Sequence, residues 1–389
     1  MKSLSQIVQN TPASGIRRFF DLVAELDDVI SLGVGEPDYV TPWRIREAAI
    51  YSLEKGRTTY TSNYGLLELR EAIVAKHIER YKTTWNPRTE VLVTVGVSEA
   101  LDTAFRAILN PGDEVLIPEP CYVSYAPCVM FAGGVPVPVP TRASDGFVTH
   151  PEAITERITE KTKAILLSYP TNPTGAVMSR EGLQRVVDIA VANDLYILSD
   201  EIYDRLCYDS EHVSIPALPG AKERTILLNG FSKAYAMTGW RIGYACAPAP
   251  IIEMMMKIHQ YTMLCAPITA QIAAIEALKN AEQDTAEMVA DYDRRRRLFV
   301  KGLNDLGLEC RMPGGAFYAF PSIAKTGLTS EEFAERLLRE ERVLVVPGDV
   351  FGDGGIGHVR CCYATATSKL TEALERMGRF LERLGTIGA

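Results

Sequence analysis

The stretch Asn229-Gly-Phe-Ser-Lys233-Ala-Tyr-Ala-Met-Thr-Gly-Trp-Arg241-Ile-Gly243 decides how the rest of the chain is read. It follows the apolar run Thr225 to Leu228 and leads into Arg241-Ile-Gly-Tyr-Ala-Cys-Ala, and both flanks read as buried strands. Between them stands one lysine among small and apolar residues. Desolvation of a lysine lowers its pKa and favours the neutral amine. A neutral amine attacks a carbonyl and forms a Schiff base. Eight residues on, Arg241 supplies a fixed cation suited to a phosphate or a carboxylate. The alternative is a lysine snorkelling out of a loop, with Arg241 in a surface ion pair.

Outward from this stretch, from Glu90 to about Ala247, strand, turn and helix repeat. Strands are expected at Val91 to Val95, Glu114 to Pro118, Val135 to Val139, Ala164 to Ser168 and Tyr196 to Ser199, besides the two flanks above. Helices are expected at Glu99 to Leu109 and Arg180 to Asn193. Apolar strands alternating with amphipathic helices predict an α/β fold whose mainly parallel sheet is covered by helices on both faces. Ligands of such sheets sit at the carboxyl ends of the strands. Gly96 to Ser98, Asn172, Asp200 and Lys233 all fall there.

The totals set bounds. A chain of 389 residues suits two domains. A net charge of −8 argues against a nucleic-acid backbone as the main partner. No apolar run reaches the ~18 residues of a membrane span. The first residues lack the apolar core of a signal peptide. Eight scattered cysteines, without a Cys-x-x-Cys pair, read as free thiols in a reducing compartment rather than disulfides or a zinc site. The expected division is a large domain over 46–285 and a smaller α+β domain formed by 286–389 with 1–45, the latter including an N-terminal arm.

Before the large domain, Ile16, Phe19, Phe20 and Val23 suggest one face of a helix, and Gly33-Val-Gly35 is either a close backbone approach to a ligand or a plain turn. Helices are expected from Pro42 to about Leu53 and from Leu67 to Tyr81, the second with Leu69, Ile73, Val74 and His77 inward. Beyond Pro248 come helices at Ile251 to Leu264, Thr269 to Asn280 and Glu287 to Leu306. The run Arg294 to Arg297 in the last fans around the helix and reads as a solvated face. A helix at Ser330 to Glu340 and strands at Val343 to Val346 and His358 to Tyr363 complete the smaller domain.

Several motifs carry two readings each. Gly96-Val97-Ser98 is a phosphate cradle at a helix N-terminus or a simple serine cap. Asn172, in Ser168-Tyr-Pro-Thr-Asn-Pro-Thr-Gly175, offers an amide across the strand ends or belongs to turn chemistry. Asp200 closes an apolar strand and must be paired or hydrogen-bonded, by a pyridinium N–H or by capping its own turn. Tyr203 is placed to reach the same ring. Tyr122 stacks on a flat ring or packs in the core. Arg360, inside a strand, grips a carboxylate or makes a cross-strand ion pair. Gly352-Asp-Gly-Gly-Ile-Gly357 matches a dinucleotide fingerprint but lacks the strand before and the helix after, so it reads as a loop.

Taken together and in this order, these strings resemble the fold type I pyridoxal-phosphate enzymes, specifically class I/II aminotransferases. The resemblance runs from Ser14 to the last helix. It rests on Ser199-Asp-Glu-Ile-Tyr203, Asn172-Pro-Thr-Gly175, Phe231-Ser-Lys233 and Met237-Thr-Gly-Trp-Arg-Ile-Gly243. Aromatic and broad-specificity aminotransferases are most similar, with acetyl-diaminopimelate aminotransferases close by. The resemblance implies that Lys233 is the Schiff-base lysine and proton shuttle, and that Asp200 pairs with the pyridine nitrogen of pyridoxal 5'-phosphate. It implies that Tyr203 and Asn172 bond the ring oxygen, and that Tyr122 covers the ring. Val97, Ser98, Ser232 and Arg241 are implied for the phosphate. Tyr60 is expected to reach the phosphate of a neighbouring subunit, which makes a homodimer part of the site. Arg360, with Asn172 and Gly35, is implied for the substrate α-carboxylate, and Tyr122 also borders the substrate. One departure is Gly230, where many relatives carry serine. The implied reaction moves an amino group from an aromatic or acidic amino acid to a 2-oxo acid such as 2-oxoglutarate, in the cytoplasm. Carbon-sulfur β-elimination uses the same cofactor set and is an alternative, as is acetyl-diaminopimelate transamination. A ligand-sensing domain of a transcription regulator is a third reading, and the expected lack of a preceding DNA-binding segment speaks against it.

Overall fold

A computed structural model describes residues 2–13, 15 and 26–385. The helix expected around Ile16, Phe19, Phe20 and Val23 lies outside the described residues. In chain order the strands are β1 (Ile30–Ser31), β2 (Val91–Thr94), β3 (Glu114–Glu119), β4 (Val135–Pro140), β5 (Thr162–Ser168) and β6 (Tyr196–Asp200). They continue with β7 (Thr225–Gly230), β8 (Gly243–Cys246), β9 (Tyr318–Ala319), β10 (Val343–Leu344), β11 (Val346–Pro347) and β12 (Val359–Cys362).

A seven-stranded sheet in the order β2-β8-β7-β6-β5-β3-β4 forms the centre. Only β8 runs antiparallel to its neighbours within it. The others pair in parallel. Side chains alternate across the sheet as the pleat requires. Leu166, Leu198, Ile226 and Leu228 enter one core with the helices Gly96–Ile108 and Ala249–Thr262. Ile165, Leu167 and Ile197 enter another, against Val186 and Val187 of the helix Arg180–Ala192. Burial on both faces is why these strands read as continuous apolar runs rather than alternating ones.

The C-terminal part builds a separate core. The antiparallel sheet β11-β12-β9 and the parallel pair β1–β10 pack with the helices Glu282–Asp305, Ser330–Glu341 and Thr367–Arg383. Ile30 pairs with Val343, which ties the segment before the large sheet to this core.

Five expectations change. Val343 to Val346 is not one strand but divides into β10 and β11, which join different sheets, and the helix expected from Glu287 begins at Glu282. The helix after β2 starts at Gly96, not Glu99, because Gly96 takes a φ of +75° and turns the chain at once. Arg241 is not in a strand; it ends a short 3₁₀ turn in the left-handed region, with φ 53°, and β8 begins at Gly243. The four arginines do not form a solvated face. Arg295 and Arg296 flank the buried stripe of Tyr292 and Phe299 and point inward. Arg296 is buried and binds Asp209 at 2.7 Å, Asp293 at 2.5 Å and the Pro313 carbonyl at 2.6 Å. Arg295 binds Asp38 at 2.8 Å. Asp38 and Asp209 come from remote parts of the chain, so no local pattern announced them.

Arg296 is itself fully buried while its partners Asp209 and Asp293 reach solvent, so its loss leaves a packing void and removes its hydrogen bonds rather than stranding a buried charge. Arg296→Ala is expected to lower unfolding stability by about 2–3 kcal/mol, whereas Arg294→Ala, whose side chain is 70% exposed, changes it by less than about 0.5 kcal/mol. Urea titration of both variants checks the contrast; equal losses would restore the solvated-face reading.

Candidate active site

The carboxyl ends of the parallel strands open on a cavity of about 410 Å³. Eleven of the twelve expected residues line it: Gly35, Val97, Ser98, Tyr122, Asn172, Asp200, Tyr203, Ser232, Lys233, Arg241 and Arg360. The twelfth, Tyr60, is 80% exposed in the loop before the helix Leu67–Tyr81 and does not line this cavity.

Lys233 follows β7 by three residues. Its Nζ donates to the Gly35 carbonyl at 2.7 Å, and burial drives its pKa down to about 8. Asp200 is the last residue of β6 and is buried. Its Oδ2 accepts from the Tyr125 hydroxyl at 2.8 Å and its Oδ1 from the Ile202 N–H at 3.2 Å. Burial pushes its pKa up to about 6, against the opposing pull of the Tyr125 bond. Asp200 thus caps its own turn, as one of its two readings had it, and also lines the cavity. Its two donors are neutral, so the buried acid still favours a cation opposite it.

Arg360 reaches the same cavity from β12. Nη1 donates to Asn172 Oδ1 at 2.9 Å and Nη2 to the Gly33 carbonyl at 2.6 Å. Among the described residues no carboxylate pairs with it, and its buried Nε has no partner. The cross-strand ion pair is thus excluded for the described residues, and a buried guanidinium is left facing space.

At the far end, Gly96 opens the helix Gly96–Ile108, whose first N–H groups are free of intrahelical bonds. Arg241 Nη1 holds the Thr238 carbonyl at 2.9 Å. A Cβ on Gly96 would lie 2.6 Å from Arg241 Nη2, and one on Gly243 would lie 2.7 Å from Val97 N. The backbone and the guanidinium are packed as a cradle with no room for side chains at those positions. Gly230 belongs to the same packing, since a Cβ there would meet Val97 Cγ2 at 3.0 Å and Gly243 Cα at 3.1 Å. A serine there would require Val97 or the Gly243 backbone to give by a few tenths of an ångström.

Sequence reasoning passed over Tyr125, Tyr318 and Thr238, all of them at the cavity. Tyr125 was within reach, since it lies three residues beyond Tyr122. Tyr318 bonds Tyr203 across 115 positions, which no local signal reveals.

Comparison with known proteins fits this geometry. The family model for "Aminotransferase class I and II" matches residues 27–377. The putative aminotransferase YugH of Bacillus subtilis is 56% identical over 98% of both chains. The aspartate aminotransferase of Pyrococcus abyssi is 48% identical over 95% of both. The structure of an aromatic aminotransferase from Pyrococcus horikoshii superposes with a TM-score of 0.91, at 47% identity, over 96% of this chain and all of that one. The chain belongs to the class I and II aminotransferases. It is a pyridoxal-phosphate-dependent transaminase of fold type I, which exchanges an amino group between an amino acid and a 2-oxo acid.

Two outcomes follow. Cofactor capture by the apoprotein needs the free amine of Lys233, so its rate is expected to rise as pH passes about 8 and to level off above it; stopped-flow absorbance reads this, and a rate flat from acid to alkali would contradict it. Gly230→Ser is expected to cost about 1–3 kcal/mol of stability by overpacking and to weaken retention of pyridoxal phosphate; unchanged thermal stability and retention would show that the cradle has slack.

Proposed function

We propose that this chain is a cytoplasmic, homodimeric aminotransferase with broad acceptance of aromatic and acidic amino acids, passing the amino group to an acceptor such as 2-oxoglutarate. The carrying observation is the convergence of Lys233, Asp200, Arg241 and Arg360 on one cavity. The relatives named aspartate and aromatic aminotransferases support the substrate range. They do not favour β-elimination or acetyl-diaminopimelate transamination.

The donor set suits pyridoxal phosphate: a near-neutral amine, a buried acid without a countercharge, and an anion cradle at the other end. When bound, the cofactor supplies an aldehyde carbon and a cationic ring that withdraws electrons from the substrate α-carbon. Lys233 Nζ would hold the aldehyde carbon and would move the proton at the substrate α-carbon. Asp200 would pair with the ring nitrogen and keep it protonated. Tyr203 would donate its hydroxyl to the ring oxygen, and Asn172, whose Oδ1 is taken by Arg360, would donate its amide nitrogen. Tyr122 would cover the ring face and border the substrate. Val97, Ser98, Ser232 and Arg241 would hold the phosphate. Arg360 grips the substrate α-carboxylate, helped by Asn172 and the Gly35 backbone.

The same reading divides the chain into 46–285 and 286–389 with 1–45, which the pairing of Ile30 with Val343 supports. Exposed Tyr60, Tyr261, Trp43, Tyr51 and Met263 support a second copy of the chain as partner, since large water-facing apolar side chains in this number suit an interface. Tyr60 then completes the neighbour's phosphate site. No described helix is long and apolar enough to cross a membrane.

Lys233→Ala is expected to abolish turnover with every amino donor while leaving some cofactor bound non-covalently; retained turnover overturns the assignment. Tyr60→Ala is expected to raise the dissociation constant for pyridoxal phosphate about tenfold, because a charge-assisted bond is lost; unchanged cofactor affinity in a dimer of normal mass removes Tyr60 from the site.

A further inference from the structure

We propose that Tyr318 is a positioning residue of this site, its hydroxyl aiming the Tyr203 proton into the cavity and its ring holding the Arg360 guanidinium in place. The proposal rests on the roles given above to Tyr203 and Arg360.

Tyr318 lies on β9 and is buried against the cavity. Three separate parts of the chain meet on it. Its hydroxyl is 2.7 Å from the Tyr203 hydroxyl, and the two rings meet edge to face at 5.9 Å. The Arg360 guanidinium carbon stands 4.6 Å from its ring centroid. A Cβ on Gly35 would run into the Tyr318 hydroxyl, so this side chain holds position 35 to glycine. Gly35 in turn supplies the carbonyl that takes Lys233 Nζ.

Two phenols that share one hydrogen bond have one donor between them. If Tyr203 donates, its proton is spent on Tyr318 and is withheld from the cavity. If Tyr318 donates, the Tyr203 proton is free to point at the ring oxygen. Accepting a bond from Tyr318 also makes Tyr203 a stronger donor. The second arrangement is the one in which Tyr203 performs its role. The ring does a different task. Asn172 and Gly33 fix the Arg360 nitrogens in the guanidinium plane, and an aromatic face nearby restrains motion out of it. Phe351, at 4.9 Å, gives a second such face.

The test uses the cofactor-loaded protein and two readouts other than turnover. One is the pH midpoint at which the visible absorbance of the lysine-linked cofactor changes. The other is the dissociation constant of 3-phenylpropionate, a carboxylate without an amino group, followed by its effect on that spectrum. A hydrogen bond to the ring oxygen stabilises the deprotonated form and lowers the midpoint, so losing donor strength raises it. Tyr318→Phe keeps the ring and loses the hydroxyl. It is expected to raise the midpoint by about half a pH unit and to leave 3-phenylpropionate binding within about twofold of the parent. Tyr318→Leu is expected to give the same rise with binding about fivefold weaker. Tyr203→Phe should raise the midpoint at least as far, and adding Tyr318→Phe to it should raise it no further. A Tyr203→Phe shift with no shift in Tyr318→Phe overturns the Tyr318 proposal and leaves the Tyr203 role intact. No shift in either variant overturns both.

Discussion

A lysine and an aspartate face one cavity here without neutralising each other. Lys233 gives its Nζ–H to the Gly35 carbonyl, while Asp200 takes neutral donors from Tyr125 and Ile202. Had the two met as an ion pair, the amine would be locked as ammonium and the acid would have no call on a ring nitrogen. Burial instead pulls the lysine towards its neutral form and the acid towards its own. The apoprotein thus holds both groups in the less comfortable states that a carbonyl and a cationic ring relieve.

That separation is a product of topology. Asp200 ends β6 and Lys233 follows β7, two parallel neighbours whose register places Asp200 opposite Leu228. The acid is held by the end of one strand and the lysine by the turn beyond the next. The antiparallel β8 then returns Gly243 beside Gly230 and against Gly96, and the three glycines let the cradle close. The small C-terminal sheet brings Arg360 across from the other side and ties it to Asn172 and to Gly33 of the N-terminal segment. The cavity therefore lies between the edge of the central sheet and the small C-terminal sheet with the N-terminal segment.

Much of this was legible in the sequence because strand ends are local features. A charged residue closing an apolar run, as at Asp200, or following one, as at Lys233, marks the carboxyl edge of a parallel sheet. The helix Leu67–Tyr81 buries the four residues that its periodicity picked out, and Arg70 besides. What stayed hidden depends on distant partners. Arg295 and Arg296 looked solvated because Asp38 and Asp209 lie far off in the chain. Tyr318 looked like one aromatic in an apolar string until the fold set it on Tyr203. Arg241 looked like the start of a strand because apolar residues follow it, and only its left-handed backbone shows that the turn runs one residue further. The close packing of Gly230 against Val97 and Gly243, neither of them its neighbour in sequence, was hidden in the same way.

The most direct measurement is borohydride reduction of the purified, cofactor-loaded protein followed by peptide mapping. The account predicts a single pyridoxyl-labelled peptide carrying its label on Lys233, with the label lost in Asp200→Ala protein that no longer retains the cofactor. Label on another lysine, or a colourless protein that takes up no pyridoxal phosphate, would contradict it.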